Sequence, residues 1–344
     1  MNQVIRALVV DDSAFTRKVV REMLTRSPYI EVVGAARDGL EALDLAEQLQ
    51  PDVITCDLMM PRLNGLGFVR EQMARRPVPI LILSVENENT ELALQALEAG
   101  AADFVHKPTA LATNDLFHIR EELIEKVKAA ARVNGPQLRP QPAAAVQLPL
   151  KHGRTRIAAV MIGVSTGGPQ ALRAMLPQLP ADLPVPIGMV LHMPPGFTSL
   201  YASKLNELCP FQVKEAAEGD ELRPGLALLA PAGIHMLLRR NPGGSVNVHL
   251  SPEPASALHR PSVDVLFKAA AEAYGNRVLG VVMTGMGSDG KEGAAWIKAQ
   301  GGTILTEAEE SCVIYGMPRA VAEAGLSDVA VPLGRLAQAI IDEL

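Results

Sequence analysis

The sequence predicts an α/β protein with two parallel sheets, each covered by helices on both faces, and an antiparallel hairpin added to the second sheet. Two observations predict this fold class. Short apolar runs of strand length alternate with helix-length segments in both halves of the chain, which is the pattern of repeated β-α units. A proline-rich polar stretch separates the halves. With 344 residues, the chain is long enough for two or three domains.

Composition restricts the class of protein. Hydrophobic residues make up 48% of the chain but aromatic residues only 3%, so the cores must be aliphatic. The net charge is −6 and no Lys/Arg cluster stands out, which argues against a nucleic-acid partner. Cys56, Cys209 and Cys312 lie far apart and suit a reducing compartment. Residues 4–10 are too short for a signal peptide, and no apolar run reaches membrane-spanning length. We therefore expect a cytoplasmic protein without membrane insertion.

The first half, residues 1–130, alternates strands and helices. Apolar runs predict strands over residues 8–10, 31–35, 53–57, 80–84 and 103–105, and the segments between and after them predict helices over 15–24, 39–49 and 115–131. Five strands in this alternation imply one parallel sheet with helices on both faces. We expect these residues to form a domain of their own.

Reactive side chains follow the predicted strands of this half. Asp11, Asp12 and Asp57 each end an apolar run, as does Ser84, and Lys107 follows the last strand. Ligands bind at the carboxyl edge of such a sheet. Three carboxylates there repel one another unless a cation such as Mg²⁺ joins them, and a lysine pairs with phosphate. One such aspartate alone is most simply a turn residue, but five groups at coordinated strand ends favour a phosphorylated aspartate.

Four motifs carry a resemblance to the receiver domains of two-component response regulators. They are VVDDS at residues 9–13, DLMMP at 57–61 followed by Asn64 and Gly65, LS at 83–84, and FVHKP at 104–108. The resemblance implies a flavodoxin-like receiver fold, a histidine kinase as phosphodonor and bound Mg²⁺. It also implies roles for single residues: Asp57 as phosphoacceptor; Asp11, Asp12, Asp57 and the carbonyl of Met59 as magnesium ligands; Ser84 and Lys107 on the phosphoryl group; and Phe104 as the switch aromatic.

Residues 131–154 change character. They contain NGP, RPQP and an alanine run followed by Pro149. Proline-rich polar sequence without an apolar period is typical of a semi-rigid linker. Such a segment is either an inert spacer or a short tether that keeps the two halves at high effective concentration, and the sequence does not separate these alternatives.

The second half, residues 155–344, again alternates strands and helices. Predicted strands cover residues 157–162, 185–191, 226–230, 234–240, 245–250, 278–284 and 303–306; predicted helices cover 168–179, 198–208, 263–274, 292–299, 319–324 and 334–343. The turn NPGG at 241–244 joins two of these strands into an antiparallel hairpin. The remaining strands predict a doubly wound parallel sheet.

Three reactive residues follow three strands of this second sheet. Ser165 lies in the sequence GVSTG, a strand-to-helix turn that projects a serine from a sheet, and His192 and Asp289 follow later strands. Parallel strands bring their carboxyl ends to one edge, so the three side chains can form a Ser-His-Asp triad. Backbone N–H groups at Thr166 and Met286 are expected to stabilise an oxyanion.

Simpler interpretations exist for each residue alone. Ser165 is then a helix N-terminal residue or a phosphate ligand, His192 a strand-end histidine, and Asp289 a helix N-cap. A dinucleotide loop is disfavoured because Ser165 occupies the middle glycine of the fingerprint. The Ser, His, Asp order also differs from that of the α/β-hydrolases. The segment HRPSVD at 259–264 either lines the cleft or caps the following helix.

The whole chain resembles the chemotaxis protein-glutamate methylesterases, the CheB family. The matching motifs are IGVSTGGP at 162–169, LHMP at 191–194, HRPSVD at 259–264 and TGMGSDG at 284–290. The resemblance implies a receiver domain followed by a methylesterase domain. Its activity would be hydrolysis of glutamate methyl esters on methyl-accepting chemoreceptors, with release of methanol, together with deamidation of receptor glutamines. It implies regulation by phosphorylation and no cofactor for the hydrolysis itself.

Two other functional classes remain. A response regulator with a DNA-binding output is disfavoured by the parallel α/β pattern and by the lack of a basic recognition helix. A non-catalytic regulator that binds a partner is disfavoured by the presence of Ser165, His192 and Asp289 together.

Overall fold

The computed structural model describes residues 4–84, 90–107, 113–132 and 157–344. The chain divides into two compact units, Met1–Pro140 and Gln141–Leu344. The predicted linker lies, from residue 133 on, outside the described residues, so its character stays a prediction. In the described residues, no helix is long and apolar enough to span a bilayer.

The first unit is the predicted five-stranded parallel sheet. Its strands lie in the order β2-β1-β3-β4-β5, so β2 is added on one side of β1, and β3, β4 and β5 are added on the other. The bounds are β1 Ile5–Val10, α1 Ala14–Leu24, β2 Ile30–Ala36, α2 Gly39–Leu49, β3 Val53–Asp57, α3 Gly65–Arg75, β4 Ile80–Ser84, α4 Thr90–Glu98, β5 Asp103–His106 and α5 Thr113–Ala130.

Short polar side chains start the helices of this unit. Ser13 Oγ accepts a hydrogen bond from Thr16 N at the start of α1, and Asp38 Oδ1 accepts from Leu40 N at the start of α2. Each bond satisfies a backbone donor that the helix itself leaves unpaired. Because β3 is buried at every residue, the sheet is covered on both faces, as the continuous apolar runs predict.

The second unit contains a seven-stranded parallel sheet and a separate hairpin. The sheet order is β14-β13-β12-β6-β7-β9-β8, and β10 pairs with β11 in antiparallel register. The bounds are β6 Ala159–Val164, α6 Gly168–Met175, β7 Ile187–Leu191, α7 Thr198–Leu208, β8 Gln212–Glu215, β9 Leu226–Leu229, β10 His235–Arg240, β11 Val246–Ser251, α8 Val263–Tyr274, β12 Val278–Val282, α9 Lys291–Ala299, β13 Thr303–Glu307, α10 Met317–Glu323, β14 Val329–Val331 and α11 Leu333–Glu343.

The central strand of this sheet is β6. It pairs with β7 on one side and β12 on the other, so the topology switches at β6, where ligand sites form in open α/β sheets. Helix α8 packs closely over it: a Cβ built on Gly163 would lie 2.2 Å from Val263 Cγ1. Glycine at this position therefore lets α8 approach the strand that precedes Ser165.

The predicted fold class is confirmed, with four elements missed. Strands β8 and β14 are short and lie at the two edges of the sheet, where polar and exposed residues interrupt the apolar pattern. Helices α3 and α4 are also not predicted individually. The helix predicted over residues 168–179 ends as an α-helix at Met175 and continues as a 3₁₀ turn, Leu176–Gln178.

Candidate active site

Ser165 occupies the tight turn between β6 and α6. Its backbone N–H donates to Thr284 O (3.0 Å), and its carbonyl accepts from Gly168 N (2.7 Å). Gly167 has φ +80°, and a Cβ there would lie 2.5 Å from Val313 Cβ, so the turn requires glycine. The serine is thus fixed at the carboxyl end of the central strand and tied to the loop after β12.

His192 follows the neighbouring strand β7. Its backbone N–H donates to Val164 O (3.2 Å), and its ring Nε2 lies 2.8 Å from Asp289 Oδ2. The ring nitrogen Nδ1 is buried and has no hydrogen-bond partner among the described residues, Ser165 included. Because the carboxylate accepts the Nε2 proton, Nδ1 carries the lone pair. Nδ1 is therefore the nitrogen of this imidazole that can accept a proton.

The Asp289 carboxylate is held by several donors besides His192. Ser262 Oγ donates to Oδ1 (2.9 Å), Asp264 N donates to Oδ1 (2.9 Å) and Val263 N donates to Oδ2 (2.8 Å). Burial raises the pKa of Asp289, but the hydrogen bond and charge of His192 and the backbone donors outweigh it and lower that pKa below its usual range. The group therefore stays ionised and orients the imidazole.

Asp264 joins the start of α8 to the start of α9. Its Oδ1 accepts from Gly290 N (2.9 Å) and from Gly293 N (2.7 Å). Burial raises the pKa of Asp264, and the neighbouring charge of Asp289 raises it further. The carboxyl thus fixes the loop that presents Asp289. The segment HRPSVD therefore has two functions in the fold. It donates hydrogen bonds to Asp289, and it forms the N-terminus of α8.

The buried carboxyl of Glu307 holds the loop that contacts the Ser165 turn, and the sequence does not predict this contact. Glu307 Oε2 accepts from Thr284 N (2.9 Å), while Thr284 Oγ1 donates to Thr166 O (3.0 Å). Burial raises the pKa of Glu307 to about 7. The apolar run of β13 predicts a strand but gives no sign that its last residue holds the loop at Thr284.

The predicted oxyanion donors lie on the two loops that meet at Ser165. Thr166 is buried directly after the serine, and Met286 is half-buried after Gly285. A Cβ on Gly285 would lie 2.8 Å from Ser165 Cβ, so only glycine allows this approach. The two loops are therefore adjacent, as the prediction requires, and the role of the N–H groups stays a prediction.

His259 contacts His192, and the sequence does not predict this contact. Its ring stacks on that of His192, with centroids 4.2 Å apart and an interplanar angle of 24°. The motif HRPSVD signals this position only as a polar segment before a helix. In the structure it covers one face of the His192 imidazole.

The first unit brings the predicted phosphorylation residues together at the β1–β3 switch point. Lys107 Nζ lies 2.8 Å from Asp57 Oδ2 and 3.0 Å from Asp11 Oδ2. Carboxylate oxygens of Asp11, Asp12 and Asp57 lie within 4.8 Å of one another. Burial raises the pKa of Asp11, and the Asp57 charge raises it too. Clustered hard oxygen ligands fit Mg²⁺.

The remaining receiver residues are placed less completely. Ser84 ends β4, but its side chain lies outside the described part of the structure. Met59 follows β3 with an exposed side chain, and its carbonyl stays a predicted ligand. Phe104 is buried on β5, with Lys126 Nζ 5.6 Å from its ring centroid. Its role as a switch aromatic stays a prediction.

Two protein families match the two halves of the chain separately. Residues 160–340 match the family described as CheB methylesterase, and residues 7–118 match the response regulator receiver domain. The chain belongs to the CheB methylesterase family. The resemblance drawn from the four motifs of each half is thereby confirmed.

Similar CheB proteins extend over nearly the whole chain. A protein-glutamate methylesterase/protein-glutamine glutaminase of Myxococcus xanthus is 48% identical, covering 96% of this chain and 95% of its own. Another of that name, from Halalkalibacterium halodurans, is 44% identical and covers 99% of each. The crystal structure of the Thermotoga maritima CheB methylesterase catalytic domain is 39% identical, covers 55% of this chain and 99% of its own, and has a TM-score of 0.53.

Proposed function

We propose that this chain is a phosphorylation-regulated protein-glutamate methylesterase that uses Ser165, His192 and Asp289 as its catalytic triad. The observation that carries the proposal is the 2.8 Å contact between His192 Nε2 and Asp289 Oδ2 at strand ends on either side of Ser165. Its substrates are glutamate methyl esters on methyl-accepting chemoreceptors, and receptor glutamines are deamidated at the same site. The family of the chain supports this substrate class.

The first half of the reaction acylates the serine. His192 Nδ1 takes the hydroxyl proton as Ser165 Oγ attacks the ester carbonyl, and Asp289 stabilises the imidazolium that forms. The N–H groups of Thr166 and Met286 donate to the oxyanion. The intermediate then collapses: the bond to the methoxy group breaks, and methanol leaves with the proton from His192.

The second half restores the enzyme. Water loses a proton to His192 Nδ1 and attacks the acyl carbonyl, and Ser165 Oγ leaves and regains the proton. The product is a free glutamate γ-carboxylate. With a glutamine substrate the same steps release ammonia in place of methanol. No metal or cofactor enters this scheme.

The receiver site is proposed to control the hydrolase. Asp57 accepts a phosphoryl group from a chemotaxis-type histidine kinase, and Ser84 and Lys107 bind the phosphoryl oxygens. Asp11, Asp12, Asp57 and the Met59 carbonyl would hold Mg²⁺, which neutralises phosphoryl charge when bound. Phe104 responds to the phosphorylated state. A cytoplasmic location follows from these proposed partners.

The decisive experiment measures methanol release from a receptor fragment methylated on glutamate. The wild-type chain should release methanol, and Ser165→Ala should abolish release while keeping the fold. Ammonia release from a receptor fragment with unmodified glutamines tests the deamidation. If the wild type and Ser165→Ala release methanol equally, the triad proposal is wrong; if neither does, a binding regulator is favoured.

A further inference from the structure

A cavity of about 490 Å³ opens beside the proposed triad. Its wall includes Asp289 and His259, whose ring stacks on His192. Leu258 and Trp296 line the same cavity. The volume lies in the range of pockets that bind small ligands. Ser165 and His192 do not line the cavity themselves, and its connection to the proposed triad runs through Asp289 and His259.

Two large apolar side chains of this cavity are exposed. Leu258 is 90% exposed and Trp296 is 44% exposed. Lys268, on the adjacent helix α8, places its Nζ 4.9 Å from the Trp296 ring centroid, a cation–π distance that fixes the indole on α9. An apolar loop residue, a positioned indole and a cation together form a surface that a partner can desolvate.

We propose that Leu258, Trp296 and Lys268 form a groove that binds the segment of the substrate protein carrying the esterified glutamate. The groove takes an apolar side chain of that segment, close in sequence to the glutamate. This inference rests on the proposed methylesterase function. We call these three residues and the cavity between them the substrate groove.

The position of Leu258 is the reason for choosing a polypeptide as the occupant. Its neighbour His259 contacts the ring of His192, while Leu258 itself points outward with almost its whole surface exposed. A glutamate side chain that reaches Ser165 extends from a backbone that must cross the rim of the site. Leu258 and Trp296 lie in the wall of the cavity that Asp289 and His259 also line, so an apolar side chain of the same backbone can cover them. A small ester lacks these flanking atoms.

A comparison of two substrates tests the groove. The first is a methylated receptor fragment, and the second is N-acetylglutamate γ-methyl ester, which carries no flanking side chains. For Leu258→Ser we expect the ratio of kcat/KM on the fragment to kcat/KM on the small ester to fall about tenfold. Trp296→Ala should lower the same ratio. Val329→Ser, at a 50% exposed valine on the edge strand β14, serves as control and should leave the ratio unchanged.

Binding provides a readout that does not depend on turnover. Trp296 is the only tryptophan of the chain, so its emission reports on the groove directly. Titrating Ser165→Ala with the methylated fragment should change the emission, and adding Leu258→Ser should weaken the fitted Kd about tenfold.

The outcomes separate the groove from the activity. Equal losses on both substrates, or an unchanged emission at fragment concentrations that saturate the enzyme, would overturn the groove. If the wild type hydrolyses neither ester, the methylesterase proposal fails. An emission change that depends on Leu258 would then still support the groove, and an emission change independent of Leu258 would overturn it.

Discussion

The two ring nitrogens of His192 have different surroundings in this site. Nε2 contacts the Asp289 carboxylate, and Nδ1 is buried without a partner in the described residues. In the trypsin-type triad the carboxylate holds Nδ1 and Nε2 is the base. In the proposed triad the imidazole is therefore reversed relative to the trypsin-type arrangement, which the sequence motif LHMP does not reveal.

Asp289→Asn tests whether the carboxylate orients that ring. Asparagine replaces one carboxylate oxygen with an amide N–H₂ group. That group cannot accept the hydrogen bonds that Ser262, Val263 and Asp264 donate to Asp289. We expect kcat on a methylated receptor fragment to fall by about three to four orders of magnitude. Steady-state methanol release provides the measurement.

Asp264→Asn is the matched control. Asparagine keeps an oxygen that can accept from Gly290 N and Gly293 N. We expect kcat to stay within about tenfold of wild type, because only an interaction one step removed from the imidazole changes. Equal losses in Asp264→Asn and Asp289→Asn would contradict the assignment of Asp289 as the orienting carboxylate.

Glu307 predicts a pH dependence of stability. Burial raises the pKa of this carboxyl from 4.5 to about 7 in the folded chain. Between these pH values the folded state binds more protons than the unfolded state, so the free energy of unfolding falls as pH rises. The loss is complete above pH 7 and is on the order of 3 kcal/mol.

Glu307→Gln isolates this effect. Glutamine retains an oxygen acceptor for Thr284 N but does not titrate. The free energy of unfolding of wild type minus that of the variant should therefore decrease from pH 5 to pH 8. Urea unfolding at several pH values measures it. Parallel pH curves for the two proteins would show that Glu307 titrates normally.

At the scale of elements, the site depends on how closely the loop after β12 approaches the turn after β6. A Cβ on Gly285 would lie 2.8 Å from Ser165 Cβ and 2.4 Å from Met317 Sδ. Gly285→Ala must separate the two loops, and the predicted oxyanion donor at Met286 moves with them. We expect kcat to fall at least a hundredfold, a loss typical of a displaced oxyanion donor.

Gly334→Ala is the control for that substitution. A Cβ on Gly334 would have no heavy atom within 4 Å, and the residue lies in α11. Alanine there should leave kcat unchanged and keep or slightly raise the free energy of unfolding, because alanine favours helix. If Gly285→Ala retains wild-type kcat, the two loops do not set the geometry of the reaction.

The sequence predicts the elements that carry the site better than those at the edges of the sheet. Strands β6, β7 and β12 are buried at every residue, and continuous apolar runs mark them clearly. The edge strand β14 has two exposed residues out of three, so its pattern resembles a loop. Glu307 and His259 were missed for another reason: their roles depend on contacts between elements distant in sequence.

At the scale of the whole chain, both units place their reactive residues by the same rule. In the first unit Asp11 and Asp57 meet at the carboxyl ends of the paired strands β1 and β3, and in the second Ser165 follows β6, the strand between β7 and β12. The alternation of apolar runs is enough to predict that these residues share an edge. It cannot predict the contacts within each edge, because strand order is set by packing of the complete sheet.

Phosphorylation of Asp57 should raise methylesterase activity. Lys107 Nζ is shared between Asp57 and Asp11 in this structure, and a phosphoryl group on Asp57 adds negative charge that Lys107 and Mg²⁺ would bind. The phosphorylated receiver domain then has a different lowest-energy conformation, so its conformational equilibrium shifts. We expect a small-molecule phosphodonor with Mg²⁺ to increase methanol release several-fold in wild type.

The comparison that decides this prediction uses Asp57→Ala, which cannot accept the phosphoryl group. The variant should keep the unstimulated rate, since Asp57 lies in the unit without Ser165, and it should not respond to the phosphodonor. Removing Mg²⁺ with a chelator should abolish the response of wild type and leave its unstimulated rate unchanged, because the proposed hydrolysis needs no metal. Stimulation that persists in Asp57→Ala would place the phosphorylated residue elsewhere.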